Sequence, residues 1–229
     1  KALKDELGLT YTAHLPLWAI EPASPNEIMR EASLECLVEA AELVRPLEPE
    51  VLVLHATGAL AAEFSRLQVS PFIKNIITDQ FAGFAEQSVR EFLKRTKLPS
   101  RKIALENIEF PFEGTWRIAE RLDTSITFDT GHLLAGYSGP IEVPDFVKRY
   151  YSRIREIHLH DGGHNPVGED VVRRFDHQAL GTGALPIEAL LTELQRRGYK
   201  GAIIFELTQS QALESLEVIR KRMPNLPID

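Results

Sequence analysis

Asp129 and His132 stand three residues apart in the stretch Ser-Ile-Thr-Phe-Asp-Thr-Gly-His, residues 125–132. The β-branched and aromatic residues before Asp129 predict a buried strand, and Gly131 allows a tight turn that returns His132 over the same strand end. Carboxylate and imidazole groups are metal ligands, and α/β enzymes keep their active sites at strand ends. This stretch therefore predicts part of a metal site.

The other histidines also fall at predicted strand ends or in the loops just after them. Glu106 and Glu206 stand at equivalent ends of the apolar runs 102–106 and 202–206. A single histidine is more often a surface or core residue than a ligand, but so many at strand ends, beside acids, favour a metal site. The seven histidines are His14, His55, His132, His158, His160, His164 and His177.

Short apolar runs that alternate with helical patterns predict βαβ units and a parallel sheet. An open sheet gathers its site at one crevice, whereas a closed barrel brings every strand end to one mouth. A ligand-type residue at each strand end therefore favours an α/β fold of the (β/α)8 TIM barrel type. These residues are His14, His55, Glu106, Asp129, His158, His177 and Glu206.

Seven such strand ends are one fewer than a TIM barrel needs. The helical pattern at Leu3–Leu7 indicates that the first strand precedes Lys1 and is missing from this chain. Residues 1–229 are predicted to form a single domain, since no linker or repeat is visible. Residues 69–78 are predicted to be a loop or a short turn of helix, residues 162–174 a polar loop, and residues 177–183 a short extended segment.

Composition limits the classes of partner and compartment. The chain has 229 residues, of which 44% are hydrophobic, and a formal charge of −7, which makes duplex DNA an unfavoured partner. Cys36 is the only cysteine, so no disulfide forms within the chain, and a reducing cytoplasm is expected. No apolar run is long enough for a membrane span, and no signal peptide is visible.

The strand-end motifs together resemble the xylose isomerase-like TIM barrel superfamily, which contains AP endonuclease family 2 and sugar-phosphate isomerases and epimerases. The resemblance extends from about Thr10 to the C-terminus. The segments that carry it are His14-Leu-Pro, His55-Ala-Thr-Gly, Leu105-Glu-Asn, Phe128-Asp-Thr-Gly-His, His158-Leu-His-Asp, His177-Gln-Ala-Leu-Gly-Thr-Gly and Phe205-Glu-Leu.

The resemblance implies a shared metal site and, in one branch, an acid–base pair. The shared ligands would be Glu106, Asp129, His158 and Glu206. In the epimerase branch, Glu106 and Glu206 would also be the catalytic acid–base pair. The resemblance thus implies an enzyme that depends on a divalent metal.

In the endonuclease IV branch, His14 and His55 would hold a second metal, with Glu106 bridging. His132 and His177 would contribute to a third metal, with an aspartate two residues before His177. That position is Phe175, and the neighbouring Asp176 is expected to face the opposite side of an extended chain. Imidazole and carboxylate ligands suit Zn²⁺ or Mn²⁺, and one to three ions are expected, two being favoured.

Further residues have two readings each. His160 either contacts the substrate or forms a hydrogen bond to a metal-ligand side chain and orients it. Asp161 either orients a metal-ligand histidine or caps the turn. Trp18 either stacks on a substrate ring or packs against the protein. Arg174 either meets a substrate phosphate or lies in a solvated loop.

Three functions remain open at this stage. The first is a metal-dependent phosphodiesterase, a hydrolase of a small phosphoester. The second is a sugar or sugar-phosphate isomerase or epimerase that uses one metal with Glu106 and Glu206. The third is a barrel that binds metal and ligand without turnover. The expected partner is a small phosphorylated or sugar-like molecule, and the sequence permits a homo-oligomer.

Overall fold

The computed structural model describes residues 2–166 and 172–226, apart from the side chains of residues 2, 3 and 166. Within these residues the chain forms eight strands and nine α-helices. No helix among them has the length and apolar character needed to cross a membrane. Contacts divide the chain into a first unit, residues 1–127, and a second unit, residues 128–229, and each is described by itself. That the whole chain is one domain stays a prediction.

Strands and helices alternate along most of the chain. The strands are β1 (Thr12–His14), β2 (Val51–Leu54), β3 (Ile103–Glu106), β4 (Ser125–Asp129), β5 (Ile154–His158), β6 (Asp161–Pro166), β7 (Val172–Gln178) and β8 (Ala202–Ile204). The helices are α1 (Ala2–Leu7), α2 (Glu27–Val44), α3 (Ala59–Ser65), α4 (Pro71–Thr96), α5 (Phe112–Leu122), α6 (Thr130–Leu134), α7 (Val143–Tyr150), α8 (Ile187–Arg197) and α9 (Gln209–Arg222).

The strands form two sheets. The larger sheet has six strands in the order β1-β2-β3-β4-β5-β8, and the smaller pairs β6 with β7. In the larger sheet β2 pairs in parallel with β1 and β3, and β5 pairs in parallel with β8. This arrangement confirms the predicted α/β class with parallel strands.

The core of the first unit surrounds β2 and β3, in which every residue is buried. Residues buried on both faces form the near-continuous apolar runs typical of parallel strands. β3 ends on the buried carboxylate of Glu106. The sheet thus places a polar group at the end of an otherwise apolar strand.

The prediction of a loop over residues 69–78 was wrong, because α4 begins at Pro71. The Ser70 side chain accepts a hydrogen bond from the backbone N–H of Ile73, and Pro71 occupies the first turn. A side-chain cap and a proline with preset φ are strong helix-start signals. The helix was missed because its first two turns are mostly exposed and carry little apolar periodicity.

The second unit contains a β-hairpin where a polar loop was predicted. β6 pairs antiparallel with β7, and Gly163 lies opposite Phe175. A Cβ on Gly163 would press on the Phe175 ring, so the glycine leaves room for this side chain. The two strands contain too few apolar residues for an alternating pattern to be visible in the sequence. Their pairing is stabilised by backbone hydrogen bonds and by the contact between Gly163 and the Phe175 ring.

The Asp161 side chain stabilises the segment that follows the hairpin through hydrogen bonds. Its carboxylate, which is fully buried, accepts backbone N–H groups of Gly162, Gly181 and Leu185 at 2.8–2.9 Å. Residues 177–183 are therefore not one extended segment as predicted, since β7 ends at Gln178 and a turn follows. A Cβ on Gly183 would overlap Asp161 Oδ1. Of the two readings of Asp161, the geometry favours the structural one.

Candidate metal centre

In the first unit, three ligand-type side chains from consecutive strand ends form a group that we call the first-unit cluster: His14, His55 and Glu106. Glu106 Oε2 lies 3.3 Å from His14 Nε2 and 3.1 Å from His55 Nε2. His14 Nδ1 lies 2.7 Å from the Leu15 carbonyl, which only accepts, so Nδ1 donates. In a neutral His14 ring this leaves the lone pair of Nε2 facing a carboxylate oxygen. A cation fits that arrangement.

In the second unit, Asp129, His158 and Glu206 form a group that we call the Asp129 cluster. His158 Nδ1 lies 3.6 Å from Asp129 Oδ2 and 3.2 Å from Glu206 Oε2. One ligand atom from each residue lies within 4.8 Å of the others. Asp129 and His158 are buried, whereas Glu206 is about one-third exposed. Two carboxylates and an imidazole from three strand ends are a donor set suited to a divalent cation.

A third group, the hairpin cluster, contains His132, Asp176 and His177. Asp176 Oδ1 lies 3.0 Å from His177 Nδ1, and Asp176 Oδ2 lies 3.9 Å from His132 Nε2. The prediction that Asp176 faces away was wrong. His177 has a φ of 50°, in the left-handed region, so the strand does not alternate sides at this point. Asp176 therefore brings a carboxylate beside His132 and His177, although position 175 is a phenylalanine.

Electrostatics keep the Asp129 carboxylate ionised. Burial alone would raise the pKa of Asp129, but the surrounding imidazoles of His132, His160 and His158 hold that pKa well below its usual range. The Asp129 Oδ1 atom also accepts the backbone N–H of His132 at 2.6 Å. A carboxylate held ionised in a buried position is ready to bind a cation.

His177 has the opposite shift. Its hydrogen bonds to Asp176 and then to Glu206 raise the pKa of the imidazole to about 10. The bond to His177 is also the main cause of the lowered pKa of Asp176. Without a cation, His177 is therefore protonated at neutral pH, and a proton occupies the position that a metal would take.

His160 is fully buried and uses both ring nitrogens within the protein. Nδ1 accepts the backbone N–H of His177 at 2.9 Å, and Nε2 lies 2.8 Å from Asp129 Oδ2. The ring also stacks on that of His177, with centroids 4.3 Å apart. Of the two readings of His160, this geometry favours support of a ligand over direct substrate contact.

The other proposed substrate contacts have different surroundings. Arg174 donates to the Ala135 carbonyl, and its guanidinium lies over the Tyr137 ring. His164 lies opposite Arg174 in the hairpin and donates to the Leu134 carbonyl at 3.0 Å. Both side chains thus tie the hairpin to the end of α6. Trp18 is 86% exposed, so it does not pack against the described chain. Substrate contact by Arg174 or Trp18 stays a prediction.

Glu156 is a buried acid that sequence reasoning missed. Its Oε1 atom lies 3.1 Å from His158 Nε2, on the side of the ring opposite Nδ1. The available signal was the alternation of Glu156, His158 and His160, which puts three polar residues on the same side of an extended chain. That Glu106 shares a cation with Asp129, His158 and Glu206 stays a prediction.

Comparisons with known proteins agree with this arrangement. Residues 1–222 match the family model described as xylose isomerase-like TIM barrel. The uncharacterized protein MJ1311 of Methanocaldococcus jannaschii is 26% identical over 231 residues, which cover 96% of this chain and 72% of that protein.

Solved structures show the same fold. A D-tagatose 3-epimerase-like protein aligns with a TM-score of 0.69 and 24% identity, over 97% of this chain and 80% of that one. Endonuclease IV from Thermus thermophilus aligns with a TM-score of 0.67 and 19% identity, over 99% of this chain and 80% of that one. At these identities the likeness concerns the fold alone.

Proposed function

The chain belongs to the xylose isomerase-like TIM barrel family, and from this premise we propose that it is a divalent-metal-dependent hydrolase of a small phosphoester. The observation that carries the proposal is the number of ligand groups. The Asp129 cluster would suffice for the single cation of an isomerase, yet the first-unit cluster and the hairpin cluster offer further sets of three donors each. Several cations on one chain are typical of phosphoester hydrolysis.

The donor chemistry supports the presence of cations. Zn²⁺ or Mn²⁺, when bound, would polarise the phosphoryl oxygens and make a bound water acidic near neutral pH. Asp129 would stay ionised and hold its cation with His158. Glu206, which is partly exposed, would be placed to accept a proton from water or to return one to the leaving group. His14 and His55 would hold a cation through their Nε2 atoms beside Glu106.

The experiment is to measure metal content and turnover together. The dialysed protein, reloaded with Zn²⁺ or Mn²⁺, should hold at least two cations per chain and should hydrolyse bis(p-nitrophenyl) phosphate. His55→Ala and Asp129→Asn should each lose one cation and most of the activity. His164→Gln, which changes a histidine outside the three clusters, should keep both.

Two results would remove the proposal. One is a metal content below one cation per chain after reloading. The other is full phosphodiesterase activity in both His55→Ala and Asp129→Asn, since activity independent of these ligands would come from a contaminant.

A sugar or sugar-phosphate isomerase or epimerase is the second candidate. The position of Glu206 favours it, because a partly exposed carboxylate 3.2 Å from His158 Nδ1 can serve as a base next to a single cation. The family resemblance pairs Glu206 with Glu106 in this role. Solvent deuterium should then enter a ketose substrate, and Glu206→Gln should abolish the exchange. Exchange that survives this substitution would eliminate the candidate.

The acidic chain favours a small substrate under either candidate. A formal charge of −7 opposes nonspecific binding to a nucleic-acid backbone. We therefore propose a small phosphorylated or sugar-like molecule as the partner. A gel-shift measurement with duplex DNA at physiological salt should show no complex.

A further inference from the structure

Glu156 lies directly behind a metal-ligand histidine of the Asp129 cluster. Its side chain is 3% exposed and that of His158 is 4% exposed, so little water reaches the contact. Glu156 Oε1 is 3.1 Å from His158 Nε2. The opposite ring nitrogen, Nδ1, is the one nearest to Asp129 and Glu206.

We infer that Glu156 is a positioning residue, which keeps a proton on His158 Nε2 and so presents the Nδ1 lone pair to a divalent cation. This inference rests on the proposed metal-dependent function and extends it to a residue outside the three clusters. Because an ionised carboxylate only accepts hydrogen bonds, the Nε2 atom must donate. Nδ1 faces the carboxylates of Asp129 and Glu206, and a cation bound there would take the place of a proton on that atom, while Nε2 keeps its own proton.

The strand itself explains why this contact is rigid. Glu156 and His158 are two residues apart in β5, so their side chains leave the same face of the strand. Both belong to the segment that pairs with β8, with Glu156 opposite Ala202 and His158 opposite Ile204. The backbone hydrogen bonds of this pair fix the spacing between carboxylate and imidazole. An imidazole held by a carboxylate is also a more basic metal ligand.

A buried acid needs a reason to be tolerated, because taking a carboxylate out of water is costly unless it is paired. Glu156 is 2% exposed, and its contact with His158 supplies such a pair. After burial, the negative charge of Glu156 is the largest cause of the raised pKa of the Tyr199 phenol, which therefore stays neutral. The 3.1 Å contact with Nε2 places the Glu156 carboxylate against the His158 imidazole.

The first test is the protonation of His158 in the metal-free protein. ¹⁵N chemical shifts of the imidazoles, assigned by the loss of one signal pair in His158→Gln, should show a proton on Nε2 of His158. Glu156→Leu should lose the proton from Nε2, because the carboxylates of Asp129 and Glu206, which remain beside the ring, face Nδ1. A wild-type His158 without a proton on Nε2 would overturn the inference, whether or not the protein binds metal.

The second test is zinc affinity, measured by competition with a chelator. Glu156→Leu should weaken binding at the Asp129 cluster by about 10- to 100-fold, the usual effect of losing such a partner. Glu156→Gln keeps an acceptor oxygen without the charge and should weaken binding less. Arg155→Gln is the matched control, since Arg155 is the exposed neighbour on the opposite face of the strand.

Asp129→Asn serves as the reference for loss of a ligand. If it reduces zinc affinity while both Glu156 variants bind as tightly as wild type, the inference is wrong although the metal site is real. If wild type binds no zinc, the proposed function fails, and the protonation of His158 still decides the inference. Should Glu156→Leu not fold, Glu156→Gln and the ¹⁵N measurement decide it.

Discussion

His160 Nε2 lies 2.8 Å from Asp129 Oδ2, while His160 Nδ1 accepts the backbone N–H of His177. A backbone N–H only donates, so Nδ1 carries no proton and Nε2 must be the nitrogen that donates to Asp129. One buried ring therefore fixes the orientation of the Asp129 carboxylate, a proposed metal ligand, and the start of the turn after β7. Two of the three clusters share this support.

Replacing His160 with leucine should destabilise the protein and weaken its metal site. The change removes the His160 donor to Asp129 Oδ2 and the acceptor of the His177 backbone N–H. Such losses cost about 2–4 kcal/mol in free energy of unfolding. Urea unfolding of the metal-free protein measures this cost.

His164→Leu is the control for this substitution, because His164 makes an exposed hydrogen bond at the same hairpin. Its effect should stay below about 1 kcal/mol. If both substitutions lowered the free energy of unfolding equally, the buried hydrogen bonds of His160 would add no more stability than the exposed hydrogen bond of His164.

Two glycine-to-alanine substitutions should act in opposite directions. Gly183→Ala should destabilise the protein, since the new methyl group would overlap Asp161 Oδ1 and the Gly162 backbone. Gly83→Ala lies in α4 with no atom within 4 Å of the new methyl group, and should stabilise the protein by about 0.5–1 kcal/mol. Chemical denaturation of both variants measures the signs, and a neutral Gly183→Ala would mean that Asp161 does not hold the turn tightly.

Gly131→Ala should disturb the metal site without touching a ligand. A methyl group at residue 131 would overlap the His160 ring. The ring must then move away from Asp129, and we expect weaker metal binding by the Asp129 cluster. Calorimetric titration with Zn²⁺ measures the change, and an affinity equal to that of wild type would contradict the supporting role of His160.

The stability of the metal-free protein should depend on the protonation of His177. The folded pKa of about 10 exceeds the ordinary value of 6.5, so the folded state binds this proton more tightly than the unfolded state. The contribution to stability is therefore complete below pH 6.5 and is lost as the pH rises to about 10. It should be modest, because the His177 side chain is 44% exposed and solvent screens the charge.

Urea unfolding across that pH window tests the prediction, with His177→Gln as the comparison. The variant should lack this part of the decline in stability. Zinc bound by the hairpin cluster must displace the same proton, so its affinity should increase with pH over the same range. A wild-type stability profile identical to that of His177→Gln would show that His177 is not the titrating group.

The sequence predicted the positions of the candidate ligands in the sheet better than those in the hairpin. His14, His55, Glu106, Asp129 and His158 end or directly follow short apolar strands, and periodicity identifies such strands well. Asp176 was misplaced because the left-handed φ of His177 is a tertiary feature that no local pattern reveals. The roles of Glu156 and Asp161 depend on contacts with distant parts of the chain, which spacing alone does not show.

The number of divalent cations that remain on the protein after reloading and dialysis tests the central claim most directly. Elemental analysis of wild type should find at least two cations per chain, because ligand groups in both units are placed to hold them. Asp129→Asn and His55→Ala should each reduce that number by one. A wild-type protein that retains less than one cation per chain would contradict the account.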